Sequence, residues 1–135
     1  MIAEVIRVAV SLILTTVIGI FYYNRDINPL ARMWWKCPEN VKHSDGMMRE
    51  LTGTWVAHTI LTIFMMHVTE GRAFPLMDMV YLAAKMTFVA ETLQFVHMIW
   101  KQHDLRELVV KTGYDFLTLL AITFAVTFNR HGVLL

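Results

Sequence analysis

Residues 51–69 read LTGTWVAHTILTIFMMHVT, nineteen residues without an Asp, Glu, Lys or Arg. A helix rises about 1.5 Å per residue, so about 20 residues cross the ~30 Å hydrocarbon core of a bilayer. The stretch therefore reads as a transmembrane helix. Upstream, residues 8–24 are also uncharged and continue towards the N-terminus through Ile2, Val5 and Ile6, with Arg7 long enough to snorkel. Downstream, residues 79–100 are apolar apart from Lys85 and Glu91, and residues 114–129 are rich in Phe and Thr. Gly113 precedes that last run, and Arg130 and His131 follow it as interfacial anchors. The expected architecture is all-α: a single integral membrane bundle over residues 1–135 with four transmembrane helices, spanning about 5–24, 51–69, 79–100 and 114–129. An interfacial segment is expected in the long loop, residues 25–50.

Composition agrees with a lipid-solvated chain. The 135 residues are 56% hydrophobic and 17% charged, with a mean hydropathy of +0.49. Soluble domains average about 45–50% apolar and about 25% charged residues. A net charge of +1 gives no electrostatic reason for a nucleic-acid partner. The single cysteine, Cys37, closes no internal disulfide and matches no paired-Cys metal or redox motif. The first run reads as a retained span rather than a cleaved signal, because its n-region is one Arg beside one Glu and no small-x-small site follows.

The cations set an expected orientation. Arg25, Arg32, Lys36, Lys42 and Arg49 lie between the first two runs, and Lys101, Arg106 and Lys111 between the last two. Only Arg7, Arg72 and Arg130 lie on the other side. The positive-inside rule then puts both longer loops in the cytoplasm or matrix and both termini opposite. In the long loop, Asn28 and Pro29 open a segment whose Leu30, Met33 and Trp34 lie against lipid at helical spacing while Arg32 and Lys36 face headgroups. Trp34, Trp35 and Trp100 are read as interfacial anchors. Asp104, Glu107, Arg106 and Lys111 read as a solvated loop face.

Small residues recur every four positions: Ser11, Thr15 and Gly19 in the first run, Gly53 and Ala57 in the second, Ala121 and Ala125 in the fourth. Such stripes let helices approach closely, and packing within the chain's own bundle is favoured over a face for other subunits. In the third run Ala84, Thr87, Glu91, Gln94 and Met98 form one polar stripe. A charge near the bilayer centre costs ~2.5–3.5 kcal/mol, so Glu91 needs a partner or a proton. Lys85 falls on another face. The expected partners are His58 and Thr62, on a Trp55, His58, Thr62, Met65 stripe of the second run, with a direct Glu91 to His58 contact. A structural role for this cluster is favoured over a proton or cation relay that also draws on His67 and His97. A haem held by His58 and His97 is the least favoured alternative, because their depths match only loosely. No metal site is expected, and His43, His103 and His131 fall in loops or at a terminus.

The chain carries no nucleophile elbow, P-loop, His-Glu-x-x-His or Gly-rich dinucleotide fingerprint, so no enzyme is expected. Gly19 with Tyr22 and Tyr23 closing the first helix, tryptophans after the next polar segment, and Gly113, Tyr114, Asp115 at the start of the fourth resemble the bacterial membrane proteins grouped as domain of unknown function 1761. Here Tyr22 stands where that pattern has Trp, the phenylalanine-glycine pair is absent and the spacing to Trp34 is longer. The resemblance implies a short four-helix membrane chain and no activity, cofactor or site residue. The favoured expectation is a non-catalytic accessory subunit of a multi-subunit membrane complex, such as a mitochondrial respiratory complex or ATP synthase. Its partners are then other membrane subunits and lipids, with no cofactor. The mitochondrial inner membrane is favoured over a bacterial plasma membrane. The alternative is a small homo-oligomeric proton- or ion-coupled transporter or channel that uses Glu91.

Overall fold

The computed structural model describes residues 1–24, 26–29, 48–70, 72, 74–102 and 105–128. Among these it is all-helical, with four long helices: α1 Ile2–Tyr22, α2 Met48–Val68, α3 Leu76–Trp100 and α4 Leu105–Thr127. Three of them, α1, α2 and α4, are long and apolar enough to cross a membrane, which is consistent with an integral membrane protein. The third helix has the length, 25 residues, but Asp78, Lys85 and Glu91 dilute its apolar character. Trp34, Trp35 and the interfacial segment expected around them lie outside the described residues, as do Cys37, His43, His103, Asp104, Arg130 and His131.

Threonine is common in these helices, and its hydroxyl competes with backbone groups unless it has a local acceptor. Here it has one. Thr16, Thr59, Thr62, Thr87, Thr112, Thr123 and Thr127 each donate to the carbonyl four residues earlier, at 2.7–2.8 Å. These helices thus satisfy most of their threonine hydroxyls internally, as an apolar solvent requires.

The fourth helix begins nine residues before the expected span, at Leu105 rather than Tyr114. Residues 105–113 are too polar to count as membrane-spanning, yet they extend the helix. Glu107 and Lys111 pair one turn apart at 3.2 Å, so they form a helical face rather than a loop face. Gly113 does not break the helix, because its missing side chain makes room for Tyr22 of α1. The C-terminal end of α3 is capped. The Lys101 amide bonds to the His97 carbonyl, and Gln102 adopts a positive φ of 54°, an αL cap that glycine usually supplies.

Contacts between helices run in opposite register. Ser11 meets Thr62, Thr15 meets His58 and Thr16 meets Trp55, so α1 and α2 are antiparallel. Tyr22 meets the carbonyl of Val110, so α1 and α4 are antiparallel too. The order is up-down-up-down. The fourth helix packs against all three others and α1 also packs on α2, while α3 is held mainly through α4. The apolar core is correspondingly small: Met65, Ile122 and Val126, flanked by Leu61, Met66, Leu82 and Met86. Large apolar side chains cover the outside instead, among them Ile13 and Ile20 of α1, Ile60 and Ile63 of α2, and Phe88 and Leu93 of α3. Soluble monomers rarely expose apolar surface on this scale.

Small residues serve this packing unevenly. Ser11, Thr15 and Ala125 are buried, and Gly19 lies against Tyr114. Ala121 is half-buried. The Gly53 and Ala57 stripe departs from the expectation of packing within the bundle: both are exposed, and a Cβ on Gly53 would touch nothing within 4 Å. Between them, Trp55 reaches α1 through Thr16.

Candidate functional site

Polar side chains from all four helices line up inside this apolar bundle. At its centre is Glu91 of α3, 9% exposed. The expected contact with His58 is not formed. Glu91 instead faces α4, beside Leu108, Thr112, Gly113 and Phe116, with Asp115 and Lys111 within electrostatic range. The physical reason is the packing order: α4 lies between α2 and α3 along this depth. His58 turns to α1 and bonds through Nδ1 to Thr15 Oγ1 at 3.1 Å. Asp115 is the link between the two, being within electrostatic range of both His58 and Glu91.

Hydrogen bonding at Glu91 is incomplete. The Thr112 hydroxyl has one proton, which it gives to the Leu108 carbonyl at 2.7 Å. It therefore offers Glu91 only lone pairs, and an ionised Asp115 does the same. Glu91 Oε2 is buried without a hydrogen-bond partner. A buried carboxyl oxygen without a donor calls for a proton or a cation nearby.

The column continues on both sides of the pair. Towards the α3–α4 turn stand three tyrosines, Tyr22, Tyr23 and Tyr114, with ring centroids 5.0–5.8 Å apart. Tyr22 donates to the Val110 carbonyl at 2.6 Å. Asn28 donates to the Tyr22 carbonyl at 2.8 Å and closes the end of α1. In the other direction His58 and Thr15 lead to Ser11 and Thr62, whose hydroxyls bond at 2.7 Å in full burial. Thr118, fully within α4, has a buried hydroxyl without a partner.

Other expected site residues fall outside the column. Thr87 is buried beside Glu91, but Gln94 is exposed. The buried residues of α3 are Met79, Ala83, Thr87, Glu91 and Met98, so Thr87, Glu91 and Met98 of the expected stripe face inward while Ala84 and Gln94 are exposed. Lys85 is exposed on another face. His97 is exposed near the end of α3 while His58 is turned to α1, so the pair considered for haem is not brought together. Trp100 is exposed at the C-terminal end of α3. Among the described residues no three His, Cys, Asp or Glu side chains converge on one point. Asp115 is the residue that sequence reasoning missed as chemistry, having seen it only as part of the start of a helix.

Two cavities flank these elements. The larger, about 710 Å³, lies between the N-terminal end of α1 and the C-terminal end of α2, where Glu4, Arg7, His67 and Glu70 line it. Its charged groups sit at exposed helix ends, remote from the carboxyl pair. The other, about 610 Å³, is a groove between α3 and α4 into which Glu91 faces.

Comparison of the chain with protein-family models, with curated proteins and with solved structures finds no match. The residues that carry the resemblance drawn from sequence do pack together: a Cβ on Gly19 would touch Tyr114, and one on Gly113 would collide with the Tyr22 hydroxyl.

Proposed function

We propose that the chain is a four-helix integral membrane protein that works as a small homo-oligomeric proton- or ion-coupled transporter, with Glu91 and Asp115 as the coupling carboxyls. One observation carries this reading: an acid buried between two helices of an apolar bundle, with a carboxyl oxygen that has no hydrogen-bond partner and a second acid, Asp115, within electrostatic range. Intramembrane carboxyls are costly, and a pair that fixes register alone is better satisfied by a donor than by a second acid. The tyrosines on one side and His58 with Thr15 on the other supply groups that can pass a proton.

In this reading α3 also crosses the membrane. Its acid faces α4, and the long side chain of Lys85 is exposed and can snorkel. Longer loops on the cytoplasmic or matrix side follow from the distribution of cations. In vesicles carrying a pH-sensitive dye, wild-type protein should support proton-coupled flux, and Glu91→Gln or Asp115→Asn should abolish it. Full flux in both variants would remove the carboxyls from the mechanism.

The accessory-subunit reading keeps one observation in its favour, the exposed Gly53 and Ala57 stripe, which suits close approach by a helix of another chain. Native mass after gentle extraction separates the two. Stoichiometric foreign partners would favour a subunit of a larger complex, in the mitochondrial inner membrane or a bacterial plasma membrane, and a small homo-oligomer would favour the transporter.

A further inference from the structure

The cavity between the start of α1 and the end of α2 has about 710 Å³, within the ~300–1,000 Å³ of small-molecule sites. Its lining is graded along the helix axis. The pairings Ser11–Thr62 and Thr15–His58 set the antiparallel register of α1 on α2, and the same register carried outward puts Arg7 level with Met66 and Glu4 level with Thr69, beside Glu70. Glu4 and Glu70 therefore hold the outer end, Arg7 and His67 come next, and Val8, Leu12 and Ile63 line the part nearest the middle of the bundle. At ~1.5 Å of rise per residue, Arg7 stands about 4–5 Å deeper than Glu4. Both side chains lean towards the N-terminal end of α1, which keeps that order. Arg7 is half-buried and, among the described residues, its guanidinium has no ion pair or hydrogen bond, although Glu4 lies only three residues away. The two acids are loosely held: Glu4 Oε2 is 3.5 Å from the Met1 amino group, and Glu70 Oε2 is 3.8 Å from His67 Nδ1. Both distances exceed the ~2.7–2.9 Å of a charge-assisted hydrogen bond, so each carboxylate keeps acceptors for another donor.

This gradient restricts the occupant. A small soluble zwitterion would meet the charges and leave the apolar lining bare, and a hydrocarbon chain alone would leave Arg7 unpaired. An anionic phospholipid would satisfy Arg7 but set its surplus charge against Glu4 and Glu70. With His67 neutral, Arg7 and the Met1 amine balance the two acids, so a ligand of zero net charge fits. We infer that the cavity binds a phospholipid with an ethanolamine headgroup: its phosphate on Arg7, its ammonium further out between Glu4 and Glu70, and an acyl chain along Val8, Leu12 and Ile63. A guanidinium matches phosphate oxygens through its planar fork of donors. A primary ammonium brings three N–H donors to the acids, whereas a trimethylated choline headgroup brings none. The order of the lipid from ammonium to phosphate to chain thus repeats the order of the lining from acid to base to apolar residue. The inference needs the chain to sit in a membrane and stands apart from the role of Glu91.

Dioleoyl phospholipids that share their acyl chains and differ only in headgroup test the reading of charge. Delipidated protein in dodecyl maltoside is titrated with each and the bound lipid weighed by native mass spectrometry. Phosphatidylethanolamine should bind about fivefold or more tighter than phosphatidylcholine or phosphatidylglycerol, because it alone brings a phosphate together with ammonium donors. Arg7→Gln should weaken both zwitterionic lipids by about fivefold, since both lose the partner of their phosphate. Glu4→Gln combined with Glu70→Gln should remove the preference for phosphatidylethanolamine over phosphatidylcholine. Ala9→Trp, which fills the cavity from an exposed position, should displace all three lipids while helical circular dichroism and elution volume stay unchanged. The comparison of headgroups on the unsubstituted protein needs no variant, so it decides the matter even where a substitution prevents folding. Equal affinity for the three lipids, or a preference for phosphatidylglycerol, overturns the inference. A preference for phosphatidylethanolamine that survives Arg7→Gln and the paired glutamine substitutions overturns it as well, because the headgroup is then read elsewhere.

Discussion

Replacing Gly113 with alanine should destabilise the bundle, although alanine is the better helix former. In a helix interior the change from glycine to alanine contributes about 1 kcal/mol of stabilisation. Here the new Cβ collides with the Tyr22 hydroxyl and comes within 3.3 Å of its Cζ. That hydroxyl cannot swing aside freely, because it donates to the Val110 carbonyl at 2.6 Å. Losing the bond costs about 0.5–1.5 kcal/mol, and crowding a packed contact costs about 1–3 kcal/mol. The net expectation is a loss of about 0.5–3.5 kcal/mol, taking these terms together. In a Tyr22→Phe background the hydroxyl and its bond are already gone, so the same substitution should be close to neutral or stabilising. Unfolding by dodecyl sulfate, followed by circular dichroism in mixed micelles, measures the four proteins of this double-mutant cycle. A coupling of about 1–3 kcal/mol is expected between the two positions. Equal stabilisation by Gly113→Ala in both backgrounds would refute the close approach of α1 and α4 at this point.

Four more substitutions test other contacts. Thr62 gives its proton to the His58 carbonyl, so Ser11 must donate in the Ser11–Thr62 bond; Ser11→Ala should therefore cost about 0.5–1 kcal/mol, and Thr62→Val, which strands the Ser11 donor in full burial, distinctly more by the same unfolding assay. Gln102→Gly should stabilise by about 1 kcal/mol, since a φ of 54° strains a residue with a side chain; a lower midpoint of unfolding would argue against that turn. Gly53→Leu should leave monomer stability within about 0.5 kcal/mol of wild type, because the site is open, yet reduce native mass where a second helix uses that face. Unchanged mass would remove the stripe as an interface.

Helix order was legible from uncharged runs alone, because a chain that sits in lipid must satisfy its backbone within each segment and can place few charges there. Residues 51–69 mark α2 almost to its ends, and the first run marks α1 equally well. The start of α4 was not legible. Hydropathy marks where a helix meets an apolar solvent, not where its hydrogen bonds begin, and residues 105–113 are helical but polar. Ser11 and Thr15 were found because spacing assigns them one face, and that face turned out to be the one α2 covers.

Glu91 shows where sequence reasoning runs out. Its isolation in an apolar run marked it for chemistry, since a buried acid demands compensation wherever it sits. The identity of its neighbour is a different kind of quantity. Helical periodicity determines which residues of one helix share a face, but the partner across an interface depends on which helices touch, at what rotation and at what depth. Here α4 comes between α2 and α3, so Asp115 meets Glu91 and His58 is left to Thr15. The sequence by itself determined four helices, their up-and-down order and the presence of a costly carboxyl. Only the tertiary structure decided that a second carboxyl lies within electrostatic range of it and that a groove walled by phenylalanine runs alongside Glu91, because those facts belong to the packing of helices and not to the period of any one of them.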